Sequence, residues 1–362
     1  MAKLKRKISI VLIISVLIHI LSYFPQAVEQ GYSIPVYPVI SWILRFITGW
    51  IPFSIGDILY PLIGIWMIWK VIKSFKMDDR LSGFWWKRTL GKGVFFVGVV
   101  YIIFNLFWGL NYNRKTVLEK IGLQQEQYSK GDLVALNNML MEKVNEFRDS
   151  IVKDSIPFPD RNTMFKQVNK AYIDAGKKYH FLRYRISAIK PSWWSEGVSY
   201  LGITGYYNPF TAEAQVNTKV PAMMQPYTTA HEIGHQVGFA REDEANFAGF
   251  LAAESSNNLW LKYSTYLEMF LYANRNLYDL DSIHAKRFSK QLSAEVLNDL
   301  AAYKRFRLEY ESVIEPVFRY IYGKYLEQNQ QPQGMLTYSD VIAGLIVYYK
   351  SKGTLIKYNG ND

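Results

Sequence analysis

Long apolar segments in the first third of the chain constrain its fold more than any other feature, because about 20 consecutive apolar residues can cross a bilayer as one helix. A basic cluster at residues 3–7 precedes the first segment. Its apolar core is longer than that of a signal peptide, and no small-residue cleavage site follows it. We therefore expect a membrane domain over residues 1–112 with three transmembrane helices. Their approximate bounds are 8–24, 55–71 and 93–110.

The segment between the first two predicted spans, residues 32–54, has a different composition. It contains three prolines, two tryptophans and one Arg. Aromatic residues are enriched where a membrane meets water, and prolines interrupt a spanning helix. We therefore expect this segment to lie at the membrane interface rather than to cross the bilayer.

Charge is distributed unevenly along the chain, which carries a formal net charge of +11. Residues 1–112 hold 12 Lys and Arg against 4 Asp and Glu, whereas the remaining 250 residues hold 30 against 27. The basic residues of the first part cluster in 1–7 and 70–92, and cytoplasmic loops are typically rich in Lys and Arg. We expect the amino terminus and the 70–92 loop to be cytoplasmic, and residues 113–362 to form an extracytoplasmic domain.

Two further classes of protein are disfavoured by composition. The later domain has no basic stripe with interleaved aromatic residues, so nucleic acid is not an expected partner. The chain has no Cys, which excludes disulfides, thiolate zinc sites and a cysteine nucleophile.

The sequence after residue 112 predicts a mainly helical domain with a small sheet, of the α+β type. Apolar residues recur at helical spacing near 133–144 and 161–179, and again after residue 253. The carboxyl-terminal helices are expected at about 259–278, 283–303, 307–324 and 338–350. Short β-like stretches occupy residues 182–219 between these two helical regions.

The strongest indication of function is His231-Glu232-Ile233-Gly234-His235. Residues i and i+4 lie on one face of a helix, so His231 and His235 can direct two imidazoles at one ion. Glu232 follows the first His and can reach water beside that ion. This H-E-x-x-H spacing is typical of zinc hydrolases that use two His ligands and a glutamate base. We expect one Zn²⁺ at this position, with Glu232 as the catalytic base.

A second helix is predicted to begin at about Arg241, and it offers two candidates for a third ligand. Glu242 and Glu244 are separated by about 200° around a helix, so only one of them can face the ion. Glu242 is followed by Asn246 at i+4, which could orient its carboxylate as an outer hydrogen-bond partner. Glu244 shares its face with apolar residues instead. We predict Glu242 as the ligand and keep Glu244 as the alternative.

A possible substrate-binding strand precedes the two helices. Pro209 cannot donate to a β-ladder and belongs at an edge or a turn. An extended peptide could add to such an edge by main-chain hydrogen bonds, and an ordinary small sheet remains the alternative. The candidate residues are Tyr206, Tyr207, Asn208, Gln215 and Asn217.

These stretches together resemble known families. The two His followed by Glu242-Asp243-Glu244-Ala245-Asn246-Phe247 resemble the gluzincin metallopeptidases, in which the next helix supplies a Glu ligand with an Asp or Asn one turn on. The stretch 205–217 joined to HEIGHQVGFAREDEANF is similar to a bacterial membrane family known as DUF3810. The resemblance implies a zincin-like fold in a multi-pass protein of the bacterial cytoplasmic membrane. It also implies an oxyanion-stabilising Tyr or His, for which Tyr206, Tyr207 and Tyr338 are candidates.

The expected function is hydrolysis of peptide bonds in a peptide or protein substrate by a membrane-anchored zinc metallopeptidase. Two alternatives stay open. One is a catalytically inactive binding or signalling module that keeps the same fold. The other is a zinc amidase that acts on cell-wall or lipid amides.

Overall fold

A computed structural model describes residues 2–75, 83–329 and 331–355. Helices dominate the amino-terminal part. A π-helical turn, Glu29–Ser33, follows α2, and a 3-10 turn, Gly109–Asn113, follows α5. The α-helices of this part are α1 (Ala2–Ser22), α2 (Pro25–Val28), α3 (Tyr37–Thr48), α4 (Gly56–Phe75) and α5 (Gly83–Phe107).

Among the described residues, one helix is long and apolar enough to cross a membrane, Trp86–Phe107 within α5. The helical segments Lys3–Ser22 and Pro25–Ser33 meet at an angle of 107°. If this bent pair is one membrane span, the described residues contain two spans. The second predicted span, 55–71, lies in α4, which does not meet the same criterion. The prediction of three spans is therefore confirmed only in part, and part of the predicted 70–92 loop, residues 76–82, lies outside the described residues.

The first and third predicted spans pack against each other. A Cβ atom at Gly98 of α5 would lie 2.3 Å from a methyl group of Val11 in α1. Small residues allow such close approach between helices in a bilayer. Apolar side chains elsewhere on α1, α4 and α5 are exposed.

The later part of the chain forms a helical domain around one apolar core. Helices α7 and α12 pack along each other and, with α8, α10, α11 and α16, enclose that core. The helices are α6 (Val117–Lys120), α7 (Lys130–Lys153), α8 (Arg161–Lys178), α9 (Ser195–Ser199), α10 (Gln225–Gln236), α11 (Glu242–Glu254), α12 (Leu259–Leu280), α13 (Ser282–Lys290), α14 (Ala294–Glu309), α15 (Ile314–Gln328) and α16 (Thr337–Ser351).

The helix predicted at about 283–303 is broken in the structure between α13 and α14. Asn145 of α7 binds both sides of this break. Its amide nitrogen donates to the carbonyl oxygen of Gln291 at 2.9 Å, and its amide oxygen accepts from the backbone N–H of Ser293 at 2.8 Å. A tertiary contact thus replaces two intrahelical hydrogen bonds that local spacing had predicted.

The predicted small sheet has three strands, β1 (Ile189–Pro191), β2 (Gly205–Asn208) and β3 (Glu213–Val216). Their order is β1-β3-β2, with β1 parallel to β3 and β2 antiparallel to it. Tyr206 pairs with Gln215, and Tyr207 with Ala214. Strand β2 is consequently an edge strand, and both β2 and β3 pack on α10.

Residues 25–57, which we call the membrane-proximal segment, are bound directly to the later domain. Ser41 of α3 donates to the carbonyl oxygen of Gln236 at the end of α10, at 2.9 Å. The carboxylate of Glu213 in β3 accepts the backbone N–H groups of Ile55 and Gly56 at 3.0 and 2.7 Å. These bonds join the start of α4, the sheet and α10 into one packed unit.

Candidate metal centre

Helix α10 carries both His residues, and every residue from 226 to 236 is buried. Pro226 lies in the first turn, where a missing N–H costs no hydrogen bond. Gly238 follows the helix with φ of 96°, a left-handed conformation that favours glycine. A Cβ at Gly234 would lie 2.9 Å from the carbonyl oxygen of Ala245. The glycine between the two His therefore lets α11 approach α10 closely.

This approach brings three predicted ligands together. One oxygen of Glu242, Oε2, lies 3.2 Å from Nε2 of His231 and 3.5 Å from Nε2 of His235. All three residues are buried, and their candidate ligand atoms lie within 4.8 Å of one another. The cluster combines two imidazole nitrogens with one carboxylate oxygen.

The second nitrogen of each imidazole has its own partner, which orients the ring. Nδ1 of His231 lies 2.7 Å from Oδ1 of Asn246, and Nδ1 of His235 lies 2.7 Å from the carbonyl oxygen of Phe239. A carbonyl or amide oxygen can only accept a hydrogen bond, so each Nδ1 is the N–H donor. The lone pair of each neutral imidazole is then on Nε2, the atom that faces Glu242.

Two residues that sequence reasoning missed hold Glu242, one through its carboxylate and one through its backbone. The hydroxyl of Tyr322 in α15 donates to Oε1 of Glu242 at 2.8 Å. The backbone N–H of Glu242 donates to Oε1 of Gln331 at 3.0 Å. Both partners follow Glu242 by 80 to 89 residues, and nothing in their local sequence distinguishes them from the other Tyr and Gln residues.

The electrostatics of the cluster favour ionised Glu242. Burial alone would raise the pKa of this carboxyl, but the charges of His235 and His231 outweigh burial and hold the pKa well below its usual range. Burial lowers the pKa of His235, yet the Glu242 carboxylate raises it to about 9. In the absence of a cation, the carboxylate therefore stabilises a proton on the neighbouring imidazole.

Glu232 lies at the side of the cluster, buried and facing β2. Within the described part of the chain, its Oε2 atom has no hydrogen-bond partner. Burial raises the pKa of Glu232 to about 7, although the charges of His231 and His235 act in the opposite direction. A Cβ atom at Gly205 would lie 2.6 Å from Oε1 of Glu232. The edge strand therefore runs directly beside this carboxylate.

Glu244, the alternative ligand, lies outside the cluster. Its Oε2 atom accepts the backbone N–H of Val117 at the start of α6. Burial and the nearby Asp243 raise the pKa of Glu244. Its carboxylate connects α11 to α6, whereas the carboxylate of Glu242 faces the two imidazoles.

The two tyrosines of β2 are also held within the protein. The hydroxyl of Tyr206 donates to Oδ1 of Asp57 at 2.7 Å, and burial raises its pKa. The hydroxyl of Tyr207 lies 3.1 Å from that of Tyr37, and its ring lies 6.3 Å from the ring of His235. The side chain of Tyr338, the third oxyanion candidate, lies outside the described residues.

The three amide side chains predicted on the substrate strand are fully buried. Oδ1 of Asn208 accepts the backbone N–H of Phe210 at 3.0 Å. The amide of Gln215 lies 3.0 Å from the hydroxyl of Ser54, and that of Asn217 donates to the carbonyl oxygen of Ile203 at 2.8 Å. They stabilise the sheet, which leaves the main chain of β2 as the part that could pair with a substrate.

The fold and the site together define a class of protein: a helical domain joined to apolar amino-terminal helices, with a buried His-His-Glu cluster beside an edge strand. The chain belongs to the family described as Protein of unknown function (DUF3810), whose model matches residues 32–346. No curated protein and no solved structure matches this chain.

Proposed function

We propose that this protein is a membrane-anchored metallopeptidase in which His231, His235 and Glu242 hold one Zn²⁺. The observation that carries the proposal is the convergence of the three buried side chains, with Nε2 of both imidazoles directed at one carboxylate oxygen. Buried carboxylates and imidazoles arranged in this way are the ligand set of catalytic zinc, which leaves a fourth position open.

The residues fit the proposed ion in both spacing and chemistry. Zinc bound at about 2.0–2.2 Å in tetrahedral geometry separates its ligand atoms by about 3.3–3.6 Å. Of the two separations between Glu242 and the imidazoles, 3.5 Å lies within this range and 3.2 Å lies just below it. The outer partners Asn246 and Phe239 fix the tautomer that a metal-binding imidazole requires.

Glu232 would act as the general base. Zn²⁺ in such a site supplies a Lewis acid toward water and carbonyl groups. The free Oε2 of Glu232 would accept a proton from the attacking water and deliver it to the leaving amine. Burial raises the pKa of Glu232 to about 7 in the metal-free protein, and a bound cation would favour its ionised, proton-accepting form.

The substrate class follows from the position of β2. This edge strand runs beside Glu232, so an extended peptide that paired with its main chain would present its amide bonds to the carboxylate. We therefore propose a peptide or protein substrate, bound by backbone pairing.

The proposal includes three spans with the amino terminus in the cytoplasm and residues 113–362 outside, in the cytoplasmic membrane of a bacterium. The distribution of Lys and Arg along the chain supports this orientation. A reporter that is active only in the cytoplasm, fused after residue 362, should be silent. A strong signal from that fusion would reverse the orientation.

The function itself is tested on the purified full chain in detergent, by metal analysis and by hydrolysis of a peptide library. We expect about one zinc per chain and cleavage that a chelator abolishes. Glu232→Gln keeps the size of the side chain but cannot accept the proton. It should retain zinc while the rate falls by about 10²–10⁴-fold.

Two results would overturn the proposal. A chain that binds zinc but leaves every peptide intact would be a binding module or an amidase rather than a peptidase. A Glu232→Gln variant with undiminished cleavage would show that another group is the base.

A further inference from the structure

Helix α15 has an unusual distribution of apolar residues. In a helix of a water-soluble domain the apolar face packs on the core, and the opposite face is polar. In α15 the residues that face the domain are largely aromatic and polar, while a stripe of apolar side chains faces outward. The stripe and its exposed fractions are Val313 88%, Ile314 57%, Val317 58%, Tyr320 69% and Ile321 62%.

The inner face of α15 is fixed to the site. Phe318 stacks on Tyr322, and Tyr322 stacks on Tyr325, with ring centroids 5.7 and 5.8 Å apart. Tyr322 donates to Glu242, as described above. These stacked rings belong to α15 itself, and the contacts to the domain include the bond to Glu242 and the ion pair of Glu315 with Arg307 at 2.7 Å. With Leu326 also fully buried, α15 has a separate inner face, and the outer stripe is an additional apolar surface.

The carboxyl-terminal half of α15 lies where the apolar helices meet the domain. The hydroxyl of Tyr325 lies 3.0 Å from that of Tyr112, which follows the span Trp86–Phe107 by five residues. Tyr325 also lies near Tyr60, one turn into α4. This half of α15 is thus at the level of the first turn of α4 and the end of α5.

The amino-terminal end of α15 adjoins a second group of exposed aromatic residues. Ser312 donates to the carbonyl oxygen of Tyr200 at 2.6 Å. Trp193 and Trp194, which are both exposed, lie at the other end of α9, the short helix that Tyr200 follows. Their backbone and indole N–H groups donate to Asp57 in the first turn of α4, at 2.8 and 3.0 Å. Exposed Trp and Tyr at the end of an apolar helix are typical of the membrane interface.

The apolar stripe of α15 thus lies next to these exposed aromatic residues and to the ends of the apolar helices α4 and α5. For this reason we propose that the stripe lies on the lipid bilayer, parallel to its surface. A helix bound in this way buries its apolar face by about 5–10 Å at the boundary between headgroups and acyl chains. Lys324 is exposed beside the stripe and pairs with Glu327 at 2.7 Å, so an ion pair on the helix surface lies where headgroups would be. The helix that holds Glu242 through Tyr322 would then be in direct contact with lipid, independently of whether the protein cleaves peptides.

The proposal is tested with single fluorescent labels, since the chain has no native Cys. Val317→Cys and Ile321→Cys place a label on the stripe at two independent positions. Val97→Cys, on the exposed surface of α5, is the positive control, and Lys170→Cys, on the polar surface of α8, is the negative control. The full-length variants are reconstituted in vesicles of phosphatidylethanolamine and phosphatidylglycerol, with or without lipids that carry a nitroxide quencher.

We expect both α15 labels to be quenched, more strongly by a nitroxide near the headgroup than by one near the chain end. The Val97 label should be quenched by both nitroxides, and the Lys170 label by neither. Quenching at Val317 and Ile321 no greater than at Lys170 would overturn the proposal. It would also be overturned if Val317→Cys chains formed disulfide-linked dimers in the vesicles, because a second copy would then cover the stripe.

Discussion

Among the regions that contact helix α10, helix α11 and the membrane-proximal segment do so in different ways. Helix α11 contacts it through side chains that belong to the cluster, Glu242 and Asn246. The membrane-proximal segment contacts the backbone of α10, since the hydroxyls of Tyr37 and Ser41 donate to the carbonyl oxygen of Gln236 at 3.1 and 2.9 Å. The first region supplies the chemistry of the site, and the second fixes the end of the helix that carries it.

The difference matters because mutations in the two regions should change different properties of the protein. Loss of a group from α11 alters the atoms around the proposed ion, so metal affinity should change while the fold remains. Loss of a group from the membrane-proximal segment removes one hydrogen bond to a backbone oxygen, so stability should change and affinity should not. The following experiments test this separation.

The largest effect is expected at the third ligand. Glu242→Ala should lower zinc affinity by more than about 100-fold, because it removes a ligand and even outer hydrogen-bond partners are worth about 10–100-fold. Glu244→Ala is the matched control, since its carboxylate binds the N–H of Val117 and not the cluster. A competition titration with a chromophoric chelator measures both. The reverse ranking would assign the ligand to Glu244.

A smaller effect on affinity is expected at Asn246, which contacts His231 and accepts a hydrogen bond from Tyr227 at 2.8 Å. Asn246→Ala should weaken zinc binding by about 10–100-fold, because the imidazole loses the acceptor that orients it. Asn246→Asp keeps the acceptor and should retain most of the affinity. Equal losses in both variants would show that Asn246 acts through packing rather than through this bond.

Zinc affinity should also depend on pH, with the sign fixed by His235. Its pKa in the metal-free protein is raised to about 9, so zinc must displace a proton at neutral pH. Affinity should fall about tenfold for each unit by which the pH is lowered below about 9. Calorimetric titrations between about pH 6 and 8 measure this slope. An affinity that does not change over that range would contradict the proposed competition.

The smallest effect is expected in the membrane-proximal segment. Ser41→Ala should destabilise the protein by about 0.5–1.5 kcal/mol, the usual net contribution of one hydrogen bond. Ser150→Ala is the control, because that hydroxyl bonds only to a carbonyl of its own helix. Thermal unfolding in detergent measures the difference. A large loss of zinc affinity in Ser41→Ala would show that the segment controls ligand geometry, and the two regions would not be separable.

Local spacing predicted the part of the site that lies within one helix or two successive ones. His231 and His235 share a face because 3.6 residues make one turn, and Glu242 and Glu244 face different sides of the next helix. The position of Asn246 differs from the prediction: its Oδ1 lies 2.7 Å from Nδ1 of His231, whereas the prediction placed it beside the Glu242 carboxylate. The small sheet, the edge position of β2 and most helices of the domain were predictable for the same reason. Membership in the DUF3810 family followed from residues 205–217 and the two helices after them.

By itself, then, the sequence determined which side chains of α10 and α11 can meet at the proposed metal site, because helical periodicity over a few turns fixes which residues share a face. Only the tertiary structure decided what surrounds that point. Tyr322 and Gln331 come from 80 to 89 residues further on, and Ser41 from 195 residues earlier. Contacts over such distances depend on how whole elements pack against each other, and periodicity within one element carries no information about that packing.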